Sequence, residues 1–212
     1  MYNKSKKIIE SFLNKYEFDE KEIDKLCFLA NSSNSEIRRN VAVILGGIYN
    51  ERAEKTLYHL SFDKDDIVKL EAVDSLAIGN GQLSLQRLKQ ICYSDDPYLR
   101  FYAIQSYCDV FLNIHKCEPD YKDELLETLK EYDTLEMDSS VMAAIYKCNA
   151  ICGDKQAIFA LMQMHTKAVE ERNFHLISPV FNLISELTDY FEDEDVLKEI
   201  GEYLSDEKLQ FR

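Results

Sequence analysis

Apolar residues recur along this chain at intervals of three and four, the spacing of one buried helix face. Ile8, Ile9, Phe12, Leu13 and Tyr16 predict a first helix over residues 3–16. Ile23, Leu26, Cys27 and Ala30 predict a second over 20–30, with Asp19 placed to cap it. Ile37, Val41, Ile44 and Leu45 mark the next stripe. Ala53, Leu57, Leu60 and Ser61 follow on a helix from about Glu51 to Phe62. Val68, Ala72, Val73, Leu76 and Ala77 then precede Gly79-Asn80-Gly81, a sequence expected to end a helix through glycine's access to positive φ. Leu85, Leu88, Ile91 and Cys92 form the stripe beyond it. Asp96 is an expected N-cap with Pro97 at the first helical position, where a missing N–H costs nothing. Leu99, Ala103, Ile104 and Tyr107 face inward from that helix. A polar connection near Cys117-Glu118-Pro119-Asp120 leads to Leu125, Leu126 and Leu129.

The helix openings repeat. Asp95-Asp96-Pro97-Tyr98-Leu99-Arg100 stands 31 residues after Lys64-Asp65-Asp66-Ile67-Val68-Lys69, which stands 31 after Ser33-Asn34-Ser35-Glu36-Ile37-Arg38. Leu57 and Leu60 match Leu88 and Ile91 at the same offset, so the period holds in both helices of the unit. A fixed period of this length marks a repeat architecture. Later the period stretches. Ser139 to Tyr146 resembles a fourth opening about 42 residues on, with Gly153-Asp154 as its turn and Ala157, Ile158, Leu161 and Met162 on its second helix. A fifth pair runs from Phe174 to Phe191, with Ser178-Pro179 either as cap and first position or as a kink, and Val196, Leu197, Ile200 and Leu204 close the chain. The expected fold is all-α, an α-solenoid of about five antiparallel helix pairs in one domain over residues 1–212. Residues 1–33 form an N-terminal capping pair, 34–138 the best-defined repeats, and 139–212 divergent C-terminal pairs.

Composition supports helices and narrows the chemistry. Only 3 Pro and 6 Gly among 212 residues disfavour a chain of many tight turns. No apolar run approaches the roughly 18 residues of a membrane helix, and no signal peptide is evident, so a cytoplasmic location is expected. The six cysteines contain no CxxC pair; Cys148 and Cys152 share a helix face but lack a neighbouring His, and buried thiols are the expectation. The net charge of −14 sits in two stretches, −7 over residues 118–138 and −9 over 186–207. Such a protein is repelled by phosphate backbones and anionic lipid, so neither nucleic acid nor membrane is an expected partner; a basic protein surface is.

The three openings resemble HEAT repeats, of the short type seen in phycobiliprotein lyases. Their pattern runs Asp-x-Pro-x-Val-Arg-x-x-Ala, an apolar helix, a small-residue turn and a second helix. Asp96 to Ala103 follows it closely, with Leu for Val and one residue fewer before Pro. Asp65 to Ala72 keeps Asp65, Val68, Lys69 and Ala72 without the Pro, and the first copy keeps Arg38. The resemblance implies that Asp65, Lys69, Asp96 and Arg100 form a structural ladder between repeats. It also implies that second helices line the concave side. There Lys55, Tyr58 and Phe62, with Gln86, Lys89 and Tyr93 one period later, would form a protein-binding strip or cover the seam between repeats.

No motif of a phosphate loop, dinucleotide fold or nucleophile elbow occurs, and His59, His115, His165 and His175 form no close pair. No catalytic residue, metal or cofactor is therefore expected. Asp193 and Asp195 lack the glycine-centred loop of a calcium site. The expected function is a non-enzymatic protein-binding scaffold or adaptor. Its sharper form is an acidic inhibitor or immunity-type protein, as in bacterial toxin systems, occupying a basic partner. Two alternatives come from the same resemblance: a HEAT-like DNA glycosylase, which the acidic charge and the lack of Trp oppose, and a lyase or chaperone-like accessory for a chromophore. Tyr98, Phe101 and Tyr102 distinguish the third opening from the other two and draw attention as recognition residues.

Overall fold

The computed structural model describes residues 2–13, 15, 17–78, 81–115 and 119–210. Twelve α-helices and no strand occur among them, which places the fold in the all-α class of the α-solenoids. They are α1 (Tyr2–Phe12), α2 (Glu20–Leu29), α3 (Ser35–Leu45), α4 (Glu51–Leu60), α5 (Asp66–Ser75), α6 (Gln82–Ile91), α7 (Pro97–Ile114), α8 (Pro119–Leu135), α9 (Ser139–Ile151), α10 (Lys155–Glu170), α11 (Phe174–Glu186) and α12 (Glu194–Gln210). The chain separates into two compact units, Met1–Glu118 and Pro119–Arg212.

In the first unit α1, α3, α5 and α7 pack in one row, and α2, α4 and α6 in a second. The starts fall at residues 35, 66 and 97 for α3, α5 and α7, and at 20, 51 and 82 for α2, α4 and α6. The 31-residue period thus begins with α2, one helix earlier than the sequence pattern alone indicated. The second row repeats its inward face as Ala53, Leu57 and Leu60, then Ser84, Leu88 and Ile91, all buried. Ser84 takes the place expected for Leu85, which is only half-buried, because it is Ser84 that stands one period after Ala53.

Helix limits follow from caps. The Asp19 side chain accepts the Glu22 N–H at 2.9 Å and Glu22 accepts the Asp19 N–H at 3.0 Å, a capping box that satisfies two orphan donors at the start of α2. Helix α1 stops at Phe12, short of the expected 16, and beyond it Phe18 meets the Phe12 ring edge-on with centroids 5.6 Å apart. The expected roles of Tyr16, of Gly79-Asn80 and of Cys117-Glu118 lie outside the described residues. Gly81, at the start of α6, has an extended φ of −100° and needs no left-handed conformation. Its constraint is space: a Cβ there would lie 2.5 Å from the Glu54 carboxylate of α4, which accepts the Ser84 hydroxyl at 2.5 Å and the Ser84 N–H at 3.3 Å. A glutamate of one repeat therefore caps the second helix of the next.

In the second unit α9 packs on α8, α10 and α11, and α11 also contacts α12. Gly153 adopts φ +109°, so the expected turn before α10 does require glycine. Pro179 lies inside α11, six residues into it, so of its two expected roles it takes the interior one and removes a helical N–H donor there.

Candidate protein-interaction surface

Four helices begin with one arrangement. Asn34, Asp65, Asp96 and Asp138 cap α3, α5, α7 and α9 by accepting a backbone N–H of the first turn. Each capping residue in turn donates its own N–H to the side chain two residues before it. The acceptors are Ser32 at 3.2 Å, Asp63 at 2.9 Å, Ser94 at 3.2 Å and Glu136 at 2.8 Å. This acceptor position was not singled out from sequence because its residue type changes while its function does not. It also ties α9 to the earlier openings despite Met142 standing where Arg38, Lys69 and Arg100 stand.

The guanidinium of Arg38 donates twice to the Asp63 carboxylate, at 2.7 and 2.8 Å, and once to the Ser32 carbonyl at 2.8 Å. Both side chains are more than nine-tenths buried. The hydrogen bonds from Arg38 hold the Asp63 carboxyl below its usual range, and the same bonds raise the Arg38 guanidinium. Arg100 repeats one part of this, donating to the Ser94 carbonyl at 2.8 Å and the Asp95 carbonyl at 3.2 Å. Lys69 bonds Asp66 of its own helix at 2.8 Å. Asp65 and Asp96 act as caps, and the Val68 N–H, followed by the Ser35 side chain of α3, holds the Asp65 carboxyl below its usual range. Further ties between repeats are Arg39 to Glu71 at 3.1 Å and Arg52 of α4 to both Glu20 and Asp24 of α2.

The second-row strip divides by role. The Arg87 guanidinium lies 3.5 Å from the centroid of the Phe62 ring, and its Nε and Nη2 donate to the Ser61 hydroxyl and carbonyl at 2.9 Å each. Tyr58 meets the other part of Phe62 edge-on at 5.3 Å between centroids. These contacts join α4 to α6, so Phe62 and Tyr58 help to close the seam while Phe62 keeps an exposed edge. Burial pushes the Arg87 guanidinium down from its ordinary value. Arg87 itself was not anticipated; an arginine 25 residues beyond an aromatic is invisible until the repeat geometry joins them. Lys55 bonds Glu51 at 2.6 Å, and Gln86, Lys89 and Tyr93 are exposed. Tyr98 is exposed too, whereas Phe101 and Tyr102 are half-buried with ring centroids 5.2 Å apart.

Elsewhere polar groups serve packing. In the second unit the buried Lys147 ammonium lies 2.5 Å from Glu186 and 5.8 Å from the Tyr190 ring centroid, joining α9 to the end of α11. His165 is buried, with Nδ1 2.9 Å from the Tyr203 hydroxyl, which donates to the Met162 carbonyl at 3.0 Å. Asp193 accepts the Asp195 and Val196 N–H groups and pairs with Lys155 at 2.9 Å, so it caps α12. Cys92, Cys108, Cys148 and Cys152 are buried, and Cys27 accepts the Thr56 hydroxyl at 3.2 Å. Among the described residues no three His, Cys, Asp or Glu converge as metal ligands, and no helix is long and apolar enough to cross a membrane.

Two rows of antiparallel helices in the first unit, with cap bonds recurring at 31 residues, define a helical-repeat protein. The family of HEAT repeats matches residues 23–108, from within α2 to within α7. The lyase-type qualifier drawn from the sequence has no counterpart in that match. The crystal structure of an engineered protein is similar at 18% identity over 87% of this chain and 95% of that one, with a TM-score of 0.42. No curated protein matches the chain.

Proposed function

We propose that this chain is a non-enzymatic protein-binding scaffold whose partner presents a basic surface. The observation that carries this reading is the placement of charge on a repeat scaffold. Residues 119–212 hold 21 Asp and Glu against 9 Lys and Arg, a formal −12 of the total −14. That field draws a cationic partner and repels nucleic acid and anionic lipid. An inhibitor or immunity-type protein covering a basic toxin or nuclease is the sharper form. On this reading the second-row strip, which carries Lys55 and Lys89, suits the partner's cations poorly, and its Phe62 is engaged by Arg87.

The test is capture of a partner on the tagged chain, followed by co-elution of the purified pair in size exclusion. A basic protein held stoichiometrically, and released as salt rises from about 0.05 to 0.5 M, is expected. Retention indifferent to salt, or a measured turnover with no retained protein, would overturn the proposal.

A further inference from the structure

Exposed large apolar side chains recur at one kind of helix-to-helix join within each unit. Where a second-row helix ends and a first-row helix begins, the first unit exposes Phe28, Phe62, Ile67, Tyr93 and Tyr98. The second unit does the same at its own joins of this kind, with Leu135, Met137 at 91% and Phe174 at 75% exposure. The pattern has the period of the fold. Phe62 and Tyr93 are 31 residues apart, and so are Ile67 and Tyr98, each the second residue of its helix. Ile67 is 62% and Tyr98 70% exposed. Neither completes the inward stripes of α5 and α7, and no helix cap needs an apolar residue there. Large apolar groups repeated at a solvent-facing register mark an interaction site.

The same loops supply charge. Phe62-Asp63-Lys64-Asp65-Asp66-Ile67 and Tyr93-Ser94-Asp95-Asp96-Pro97-Tyr98 each enclose acids between two apolar residues. Asp63 is buried against Arg38, but Asp66, Asp95 and Asp96 are exposed; Lys64 is the one cation within the two loops, and Lys69 of α5 pairs with one oxygen of Asp66 at 2.8 Å. Packed helices lie about 8–10 Å apart, so Ile67 and Tyr98 sit roughly that far from each other. An extended chain covers that distance in about three residues. A second copy paired edge to edge would set its own Asp66, Asp95 and Asp96 against these carboxylates, which disfavours it as the occupant.

We propose that this edge of the first unit binds a basic, apolar-anchored segment of a partner protein, with Ile67 and Tyr98 taking its apolar side chains and Asp66, Asp95 and Asp96 its Lys or Arg. The proposal rests on the scaffold reading above but places the contact on the first unit, through local carboxylates and not through the −12 of residues 119–212. Three synthetic 20-residue peptides test it by fluorescence anisotropy on the full chain. One alternates Phe or Leu with Arg, one alternates the same apolar residues with Glu, and one alternates Arg with Ser. The edge should bind the first and neither of the others. Ile67→Ser with Tyr98→Ser should weaken that binding at least about tenfold, the effect of losing interface anchors, with the far-ultraviolet circular dichroism unchanged. Lys89→Ala, on the second-row strip, should leave binding unchanged. Equal binding of the Arg-Ser peptide, or full binding by the double variant, overturns the edge while leaving the scaffold reading standing, because captured partner would still co-elute. Absence of binding by all three peptides also overturns it. Loss of co-elution in the capture experiment, by contrast, removes the scaffold reading itself.

Discussion

Replacing Asp63 by alanine removes the carboxylate that takes two hydrogen bonds from Arg38 and one from the Asp65 backbone. The guanidinium stays buried, with the Ser32 carbonyl as its remaining acceptor in this group. Breaking a buried ion pair from one side costs about 3–5 kcal/mol. The retained carbonyl puts the expected loss near the lower end, about 3 kcal/mol. With no tryptophan in the chain, far-ultraviolet circular dichroism in urea is the suitable probe. A slope of about 2–3 kcal/mol/M converts this loss into a midpoint about 1 M lower. Lys69→Ala breaks only a bond to the exposed Asp66, and its midpoint should move by less than about 0.5 kcal/mol equivalent. Replacing both partners, Arg38→Met with Asp63→Leu, should recover most of the loss because no buried charge remains. The pH dependence has a definite sign. The folded Asp63 carboxyl titrates below its unfolded value, so its contribution is complete above about pH 4 and is lost as pH falls through the folded value. The gap between the parent and Asp63→Asn should therefore narrow on acidification. A midpoint for Asp63→Ala no lower than that of Lys69→Ala would refute Asp63 as the central acceptor of the first repeat.

Three further outcomes follow from the same geometry. Glu54→Ala should cost about 1–2 kcal/mol through loss of the Ser84 cap, and Gly81→Ala, destabilising in the parent, should become neutral or stabilising in that background because the carboxylate it strikes is gone; urea midpoints of the four species in the cycle measure the coupling. Glu186→Ala should cost more than Lys147→Met, since the first leaves a buried ammonium without its carboxylate and the second leaves a half-exposed carboxylate in water; thermal melts of the two variants decide it. Phe62→Ala should lower stability by about 1–2 kcal/mol through loss of the Arg87 stack and the Tyr58 edge contact, and a change below a few tenths in urea would mean the seam does not depend on it.

Much of the helical architecture was legible because burial repeats strictly. Ile37, Val68 and Leu99 occupy one register and are all buried; so do Leu57 and Leu88. Caps were legible where one residue type has one local use, as at Asp19, Asp96 and Pro97. Pro179 was ambiguous because the sequence Ser-Pro fits both a helix start and an interruption, and only the backbone from Phe174 onward separates them. The bonds between repeats were least legible. Their partners lie 25 to 32 residues apart, as Arg38 with Asp63, Arg87 with Ser61 and Arg39 with Glu71. No local pattern encodes such a pairing.

The acceptor position two residues before each cap shows why residue identity misleads in such a fold. Ser32, Asp63, Ser94 and Glu136 have little in common as letters, yet each offers an oxygen to the same N–H. A short polar side chain suffices for that bond, so the position is free to vary in charge. At Asp63 the variation brings a second use across repeats, because Arg38 reaches the carboxylate there. One period on, Ser94 stands 25 residues after Lys69 as Asp63 stands after Arg38, and it has no charge to offer, while Arg100 bonds the Ser94 carbonyl just as Arg38 bonds the Ser32 carbonyl. Introducing the acid, Ser94→Asp, places a carboxylate one period after Asp63, in the register that faces Lys69 as Asp63 faces Arg38. In a Lys69→Arg background it should stabilise the chain by about 1–2 kcal/mol if the bidentate geometry of Arg38 and Asp63 is reproduced. Urea titration of Ser94→Asp against Ser94→Asn separates charge from hydrogen bonding: a gain shared by both variants would show that the ion pair adds nothing there.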